Sequence, residues 1–390
     1  MKIGIIGHKR IPSNEGGIEK GVEQHATRMV SRGHQVTAYN RGGHNVFGKE
    51  HDGRRLKNYK GIKIVTIPTV QGSACVPIYS FLATIHAIFC RYDVISYRAS
   101  GPCAMIPLAK LFGIRCVASL HGIDSQRDKW GGFATRYLSF GEKMAATKAD
   151  VCLVLSKNMK QYIKDTYNAE SVLFANGVDA PKLLPPVEIK ERFGLEKNSY
   201  LLSLGRIVPE KGLHYLIDAF RQCETDKQLI IAGGAEANSD YYNRLVEQAK
   251  DDDRIKFIGF VTGDTISELY SNAYAFMLPS NLEGMANALL EAMSYGNCCL
   301  VSDIPENTEV VKDKAVVFEK GNVEQLREKL QELLDKPELV DLYKKQAAPY
   351  ILEHYSWDLV VEQMLRIYSG DVVEYETVVD EFEKERSTIK

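Results

Sequence analysis

Ala275-Phe-Met-Leu-Pro279-Ser-Asn-Leu-Glu283-Gly-Met-Ala-Asn-Ala-Leu-Leu-Glu291-Ala-Met-Ser-Tyr-Gly296 is the stretch on which the fold turns. An apolar run closes at Pro279, a short polar turn follows, and Leu289, Leu290 and Met293 then recur at helical spacing. Gly296 stands where a helix C-terminus favours a residue without a side chain. Glu283 precedes the first helical turn, where unpaired N–H groups and the helix dipole favour anions. Glu291 lies about two turns inside, so an anionic ligand at the helix start has a carboxylate at each end. Alone, two acids at this spacing read as solvated charges; the rest of the chain decides between the readings.

Working outward, the same strand–turn–helix grammar recurs. Tyr200-Leu-Leu-Ser-Leu204 is a strand and Gly205-Arg206-Ile-Val-Pro-Glu210-Lys211-Gly212 a polar turn. Leu213, Leu216, Ile217 and Phe220 form the apolar face of the next helix. Arg206 as a planar fork and Lys211 as a point charge can meet a diphosphate from two sides. Residues 228–232, 255–260 and 298–303 supply further strands, and from about 322 the pattern is amphipathic helix. Towards the N-terminus, residues 2–7 form a strand, His8 to Gly17 a loop, and Ile18, Val22, Met29 and Val30 one helix face. With the strand Gln35–Asn40 this is a βαβ unit, and Gly16-Gly17 sits where backbone can approach a phosphate. A full GxGxxG is missing, and a Gly-Gly turn with no ligand is the other reading.

Strands at 93–98, 115–120, 151–156 and 171–175 alternate with helices, among them 101–112 and 137–149, as in a doubly wound parallel sheet. The strand 115–120 ends at His121-Gly-Ile-Asp124, where open α/β sheets bind ligands. A histidine bonded to a local backbone group is the alternative there. Pro181, Pro185 and Pro186 mark a linker. The chain therefore divides into an α/β domain over 1–180 and a second over 181–356. Trp357 opens a last helical pattern, and the acidic end from Asp371 reads as helical or frayed. Two such domains imply a cleft that can enclose a ligand and exclude water.

Composition narrows the function classes. With 390 residues and 45% hydrophobic content the chain can bury two domain cores. No run of about 18 apolar residues is present to span a bilayer, and the start at Met1 reads as a strand, not a signal peptide. The eight cysteines are scattered without metal-ligand spacing, as buried free thiols in a reducing cytoplasm would be. The net charge of −2 hides an asymmetry: residues 1–180 carry 25 Lys/Arg against 13 Asp/Glu, and residues 181–390 carry 24 against 38. The basic half suggests an anionic partner. Its segment 41–63 is especially basic and precedes the apolar 75–90. That helix would suit a core or, beside a basic loop, an anionic membrane surface. Nucleic acid is disfavoured, since no recognition motif or aromatic-interleaved basic stretch is present.

Taken together, Glu283-x7-Glu291, Gly-Arg206-x3-Glu-Lys211-Gly, Gly16-Gly17 and Asn176-Gly-Val-Asp179 resemble family 4 glycosyltransferases over nearly the whole chain. The N-terminal stretch Ile6 to Glu19 is more narrowly similar to bacterial rhamnosyltransferase-type members of capsule and cell-wall polysaccharide assembly. The resemblance implies the GT-B architecture, two facing Rossmann-like domains, the first binding acceptor and the second a nucleotide-sugar. It also implies a C-terminal helix, about 357–390, that crosses back to the first domain. By resemblance, Glu291 holds the ribose hydroxyls, Glu283 the donor sugar, and the Gly284 and Met285 amides sugar or phosphate oxygens. Arg206 and Lys211 neutralise the leaving diphosphate, with Gly16 and Gly17 touching the same phosphates. His121 meets a donor-sugar hydroxyl or the developing charge, and the base lies in the turn 258–261, at Phe260 and Val261. The family's usual Pro after Met285 is replaced here by Ala286, which would loosen the loop around the sugar.

The function expected is that of a retaining glycosyltransferase. It would move a sugar from a UDP-sugar or dTDP-rhamnose to a glycan or polyprenyl-diphosphate-linked acceptor. No cofactor or metal is expected, and no DxD motif is present to hold one. The place expected is the cytoplasm, peripheral at the inner face of the plasma membrane. A GT-B nucleotide-sugar epimerase and a silent nucleotide-sugar-binding module are the alternatives.

Overall fold

A computed structural model of the chain describes residues 1–13, 16–42, 56–70, 72, 74–122, 132–235 and 239–389. The chain divides into two compact units, Met1–Asn176 with Trp357–Lys390, and Gly177–Ser356. It leaves the first unit ahead of residue 180 because Val178 N–H donates to Tyr355 O at 2.7 Å and Val178 pairs with Ser356 in an isolated bridge. The outgoing and returning segments thus enter the second unit side by side.

The first unit opens with β1 (Lys2–Ile6), α1 (Gly17–Ser31) and β2 (Gln35–Arg41). There follow β3 (Asn58–Tyr59), β4 (Ile62–Ile67), α2 (Cys75–Cys90), β5 (Val94–Arg98), α3 (Ser100–Cys103) and α4 (Ile106–Lys110). Then come β6 (Arg115–Leu120), α5 (Gly132–Lys148), β7 (Val151–Val154), α6 (Lys157–Tyr167) and β8 (Val172–Leu173). The sheet runs β3-β4-β2-β1-β5-β6-β7-β8, parallel except for β3 on β4. Part of the segment expected as a basic loop is therefore strand. Lys60 and Gly61, both at positive φ, make a tight turn between β3 and β4. The remainder of that segment, 43–55, lies outside the described residues. The single helix expected over 101–112 is two, because Pro107 lacks the N–H that would carry the helix through.

The second unit contains α7 (Glu188–Phe193), β9 (Tyr200–Leu204), α8 (Leu213–Arg221), β10 (Gln228–Ala232), α9 (Asp240–Ala249), β11 (Ile255–Gly259) and α10 (Asp264–Asn272). It continues with β12 (Ala275–Leu278), α11 (Asn287–Ser294), β13 (Cys299–Ser302), α12 (Pro305–Val311), β14 (Val316–Phe318), α13 (Val323–Asp335) and α14 (Pro337–His354). Its all-parallel order, β11-β10-β9-β12-β13-β14, is that of a Rossmann sheet. The strands read as unbroken apolar runs because both faces are covered. Tyr200, Leu202, Phe276 and Leu278 face one core, while Leu201, Ala275 and Met277 face the other. Phe276→Ala is expected to cost about 3–5 kcal/mol, read as a lowered denaturant midpoint.

The chain ends in α15 (Trp357–Ser369) and α16 (Tyr375–Ile389), so the acidic end is helical. Both belong to the first unit. Trp357 meets the His25 ring edge-on at 5.1 Å, and Asp358 pairs with Arg32 at 3.0 Å, which seats α15 on α1.

Candidate active site

Both sheets reverse their direction of growth beside the first strand, between β1 and β5 and between β9 and β12. The crevice at the carboxyl ends of such strands is where open α/β sheets hold ligands. In the second unit the turn after β9 carries Arg206 and Lys211, and the turn after β12 carries Glu283. The two turns are stitched together: Asn281 N–H donates to Glu210 O at 2.7 Å. Gly212, at φ 64°, lies so close that a Cβ there would stand 2.1 Å from Pro279 O.

Lys211 Nζ is 2.5 Å from Glu283 Oε1, and Ser280 Oγ donates to the same oxygen at 2.6 Å. Among the described residues nothing donates to Glu283 Oε2. The pair is mostly buried, with 19% of the Lys211 side chain and 10% of the Glu283 side chain exposed. Arg206 lines the same small pocket as Lys211, together with Gly205 and Leu278. Its guanidinium finds no hydrogen-bond or ion-pair partner among the described residues. Two cations and one carboxylate thus leave a net positive charge beside the switch point.

α11 begins only at Asn287, so Glu291 lies little more than one turn inside it, not about two. Buried Tyr270 stacks on Tyr295 at 5.2 Å and donates to Glu291 Oε2 at 3.4 Å, which fixes the carboxylate. Gly296, at φ 74°, follows the C-terminal end as expected. Gly284 N–H has no partner among the described residues, and Met285 is half-buried beside it. Phe260 is 50% exposed at the end of β11 and Val261 is buried. Ala286 holds φ −75° at the N-cap of α11, the angle a proline imposes, and its N–H makes no bond among the described residues. Ala286→Pro is therefore expected to stabilise the second unit by about 0.4–1 kcal/mol, seen as a higher denaturant midpoint.

In the first unit Gly16 caps α1 at φ 148°, a conformation open essentially to glycine alone, and Gly17 is the first helical residue. A Cβ on Gly16 would meet Glu19 Oε2 at 2.7 Å. Buried Glu19 accepts from Lys9 N–H at 2.9 Å and so ties the preceding loop to the helix start. His121 follows β6, its ring edge-on to Phe174 at 5.6 Å. It makes no hydrogen bond among the described residues, and its Nε2 is buried without a partner. Burial, with the nearby Arg98 charge, pushes its pKa down to about 3, which keeps the imidazole neutral. Asp124 lies outside the described residues.

Sequence reasoning missed Ser280, Tyr270, Arg98 and Glu19. Glu19 had a signal, the capping-box spacing of an acid three residues after a helix cap. Tyr270 and Ser280 had none, since each matters through a fold contact rather than a spacing.

Residues 15–181 match the family described as "Glycosyltransferase Family 4" and residues 187–349 that described as "Glycosyl transferases group 1". The chain is 25% identical over 304 residues to alpha-D-kanosaminyltransferase of Streptomyces kanamyceticus, covering 69% of this chain and 74% of that protein. It is 27% identical over 240 residues to the UDP-Gal:alpha-D-GlcNAc-diphosphoundecaprenol alpha-1,3-galactosyltransferase of Escherichia coli. That match covers 57% of this chain and spans 61% of the relative's length. Among solved structures, Anabaena HepE in complex with UDP and glucose superimposes with TM-score 0.77 at 18% identity, over 95% of this chain and 99% of that one. Two Rossmann-like units with such neighbours define the GT-B fold. The chain belongs to the family 4 glycosyltransferases.

Proposed function

We propose that the protein is a retaining, metal-independent transferase that moves a sugar from a UDP- or dTDP-linked donor, dTDP-rhamnose included, to a glycan hydroxyl in polysaccharide assembly. The observation that carries this reading is the Lys211–Glu283 pair beside unpaired Arg206, fixed charge where a diphosphate would leave. As the anomeric C–O bond breaks, Arg206 and Lys211 neutralise the diphosphate, while in the first unit the turn at Gly16 and Gly17 offers backbone to a phosphate. The acceptor hydroxyl attacks from the same face and its proton passes to the departing phosphate oxygen. In the second unit Glu283 Oε2 meets a donor-sugar hydroxyl, Gly284 and Met285 offer amides, Glu291 accepts from the ribose, and the turn at Phe260 and Val261 holds the base; in the first unit neutral His121 is a partner for a sugar hydroxyl. Positive side chains beside the leaving group supply the stabilisation that a metal gives in other transferases.

The experiment is nucleotide release from UDP-, dTDP- and GDP-sugars in EDTA, with and without membrane lipid extract. Release that requires one donor and the lipid fraction is expected. Donor conversion to an epimerised sugar without acceptor would establish the isomerase instead, and binding without turnover the silent module. Glu291→Ala is expected to weaken nucleoside diphosphate binding about tenfold or more, since a hydrogen bond to a charged group is worth about 1.5–3 kcal/mol. Unchanged affinity by calorimetry would remove the ribose role.

For the acceptor we propose a polyprenyl-diphosphate-linked glycan met at the inner face of the membrane. The relative that acts on GlcNAc-diphosphoundecaprenol supports this, as does the basic first unit. So does α2, whose Ile78, Phe81, Leu82 and Phe89 fall on one face and are exposed, Phe89 by 82%. Among the described residues no helix is long and apolar enough to cross a membrane. Phe81→Ser with Phe89→Ser, or removal of the charges at Arg54, Arg55 and Lys57, is expected to cut binding to anionic vesicles tenfold or more by order of magnitude. Turnover of a soluble acceptor should hold. Vesicle binding that survives both changes would end the membrane proposal.

A further inference from the structure

The backbone ladder between β12 and β13 pairs Leu278 with Val301 and goes no further. The next residue is Pro279, which has no N–H to give. Ser302, the last residue of β13, takes over with its side chain: its Oγ donates to Ser280 O at 2.5 Å. Asn307 on α12 backs it, its Nδ2 donating to Ser302 O and Ser302 Oγ, both at 3.2 Å. All three residues are completely buried. Ser280, held by its carbonyl from below, donates its own hydroxyl to Glu283 Oε1, the oxygen that also receives Lys211.

We infer that Ser302 and Asn307 are positioning residues, the buried end of a hydrogen-bonded line through Ser280 that fixes the Glu283 carboxylate for the donor sugar. This rests on the proposed role of Glu283 as a donor-sugar contact. The line matters most once substrate is bound. A diphosphate draws Lys211 towards its own oxygens, and Glu283 then loses the cation that holds it. Ser280 remains, and it can hold the carboxylate only if its own backbone stays fixed. A serine tied at the carbonyl by a buried hydroxyl that an amide holds in turn has little freedom left, so Oε2 keeps its direction when the ion pair is exchanged.

The test compares Ser302→Ala, Asn307→Ala and Ser302→Thr with the wild type. Ser302→Ala is expected to lower kcat about tenfold, equivalent to roughly 1.4 kcal/mol of barrier. The affinity for free nucleoside diphosphate should stay within about twofold, because Glu291, Arg206 and Lys211 remain. Ser302→Thr, which restores the hydroxyl, should recover most of the rate. A crystal structure of Ser302→Ala should show the Glu283 carboxylate displaced. Unchanged kcat, a rate loss matched by an equal loss of diphosphate affinity, or no recovery with threonine would each overturn the inference. Should the wild type turn over no nucleotide-sugar, the proposed function fails by itself, and the crystallographic arm still decides this inference: an unmoved Glu283 overturns it and a displaced one upholds it.

Discussion

Lys211→Ala should lower kcat by about 10²–10³-fold, the usual consequence of removing a fixed group aimed at charge that develops in the transition state. Two effects act in the same direction. The leaving diphosphate loses a cation held on a turn that Gly212 locks against Pro279. Glu283, whose Oε1 lies 2.5 Å from Lys211 Nζ, is at the same time left as an uncompensated anion facing another anion. A double-mutant cycle with Glu283→Gln separates them. If repulsion dominates, the second change restores part of the rate; if the missing cation dominates, it restores none. Lys211→Arg keeps the charge but replaces a point with a broad fork, and should recover only part of the activity. Near-wild-type turnover by a folded Lys211→Ala would remove the charge role altogether.

Acid should unfold the first unit early, and the sign follows from three histidines. In an unfolded chain each binds a proton near pH 6.5. In the folded unit burial holds His8 and His121 neutral, with pKa values pushed down to about 3. Burial, aided by the Arg98 charge, holds His25 well below the usual range. Arg41 and Arg98 add to the effect at His8, against an opposing bond from Asn40. Below pH 6.5 the unfolded chain therefore holds more protons, and stability falls as pH falls towards the folded values. Between pH 7 and pH 5 His8 and His121 each cost about 2 kcal/mol, and His25 adds to the loss in the same direction. His8 and His121 together, about 4 kcal/mol, already match a large part of a typical domain's stability. Denaturant midpoints at pH 5, 6 and 7 measure this, and His25→Leu should reduce the slope. A flat profile would mean that the folded unit takes up protons at these rings.

The sheet strands were legible because parallel strands covered on both faces are apolar runs, such as Tyr200–Leu204 and Ala275–Leu278. The charged turns between them were legible because little else places Arg206, Lys211 and Glu283 after strand ends. What escaped was whatever depends on a partner distant in sequence. Arg98 closes an apolar run and reads as a surface residue, yet it is 1% exposed, between His25 and Tyr368. The β3–β4 turn was hidden by Lys60, a residue that gives no sign of positive φ. The break between α3 and α4 was visible in Pro107, but the apolar pattern on either side of it runs straight through. Ser302 and Asn307 were invisible, since a serine at a strand end and an asparagine in a helix fit any loop-facing position.

The placement of α15 bears on how the molecule is made. Trp357, Val360, Val361, Met364 and Ile367 are buried, and they belong to a unit whose other residues end at Asn176. A ribosome delivers the second unit whole before it delivers this last layer of the first. The half of the protein synthesised first is thus the half completed last, and until residue 357 emerges its α1 face stays uncovered and open to aggregation or chaperones. A chain stalled at Ser356 would carry one finished unit and one whose α1 face still lacks its cover.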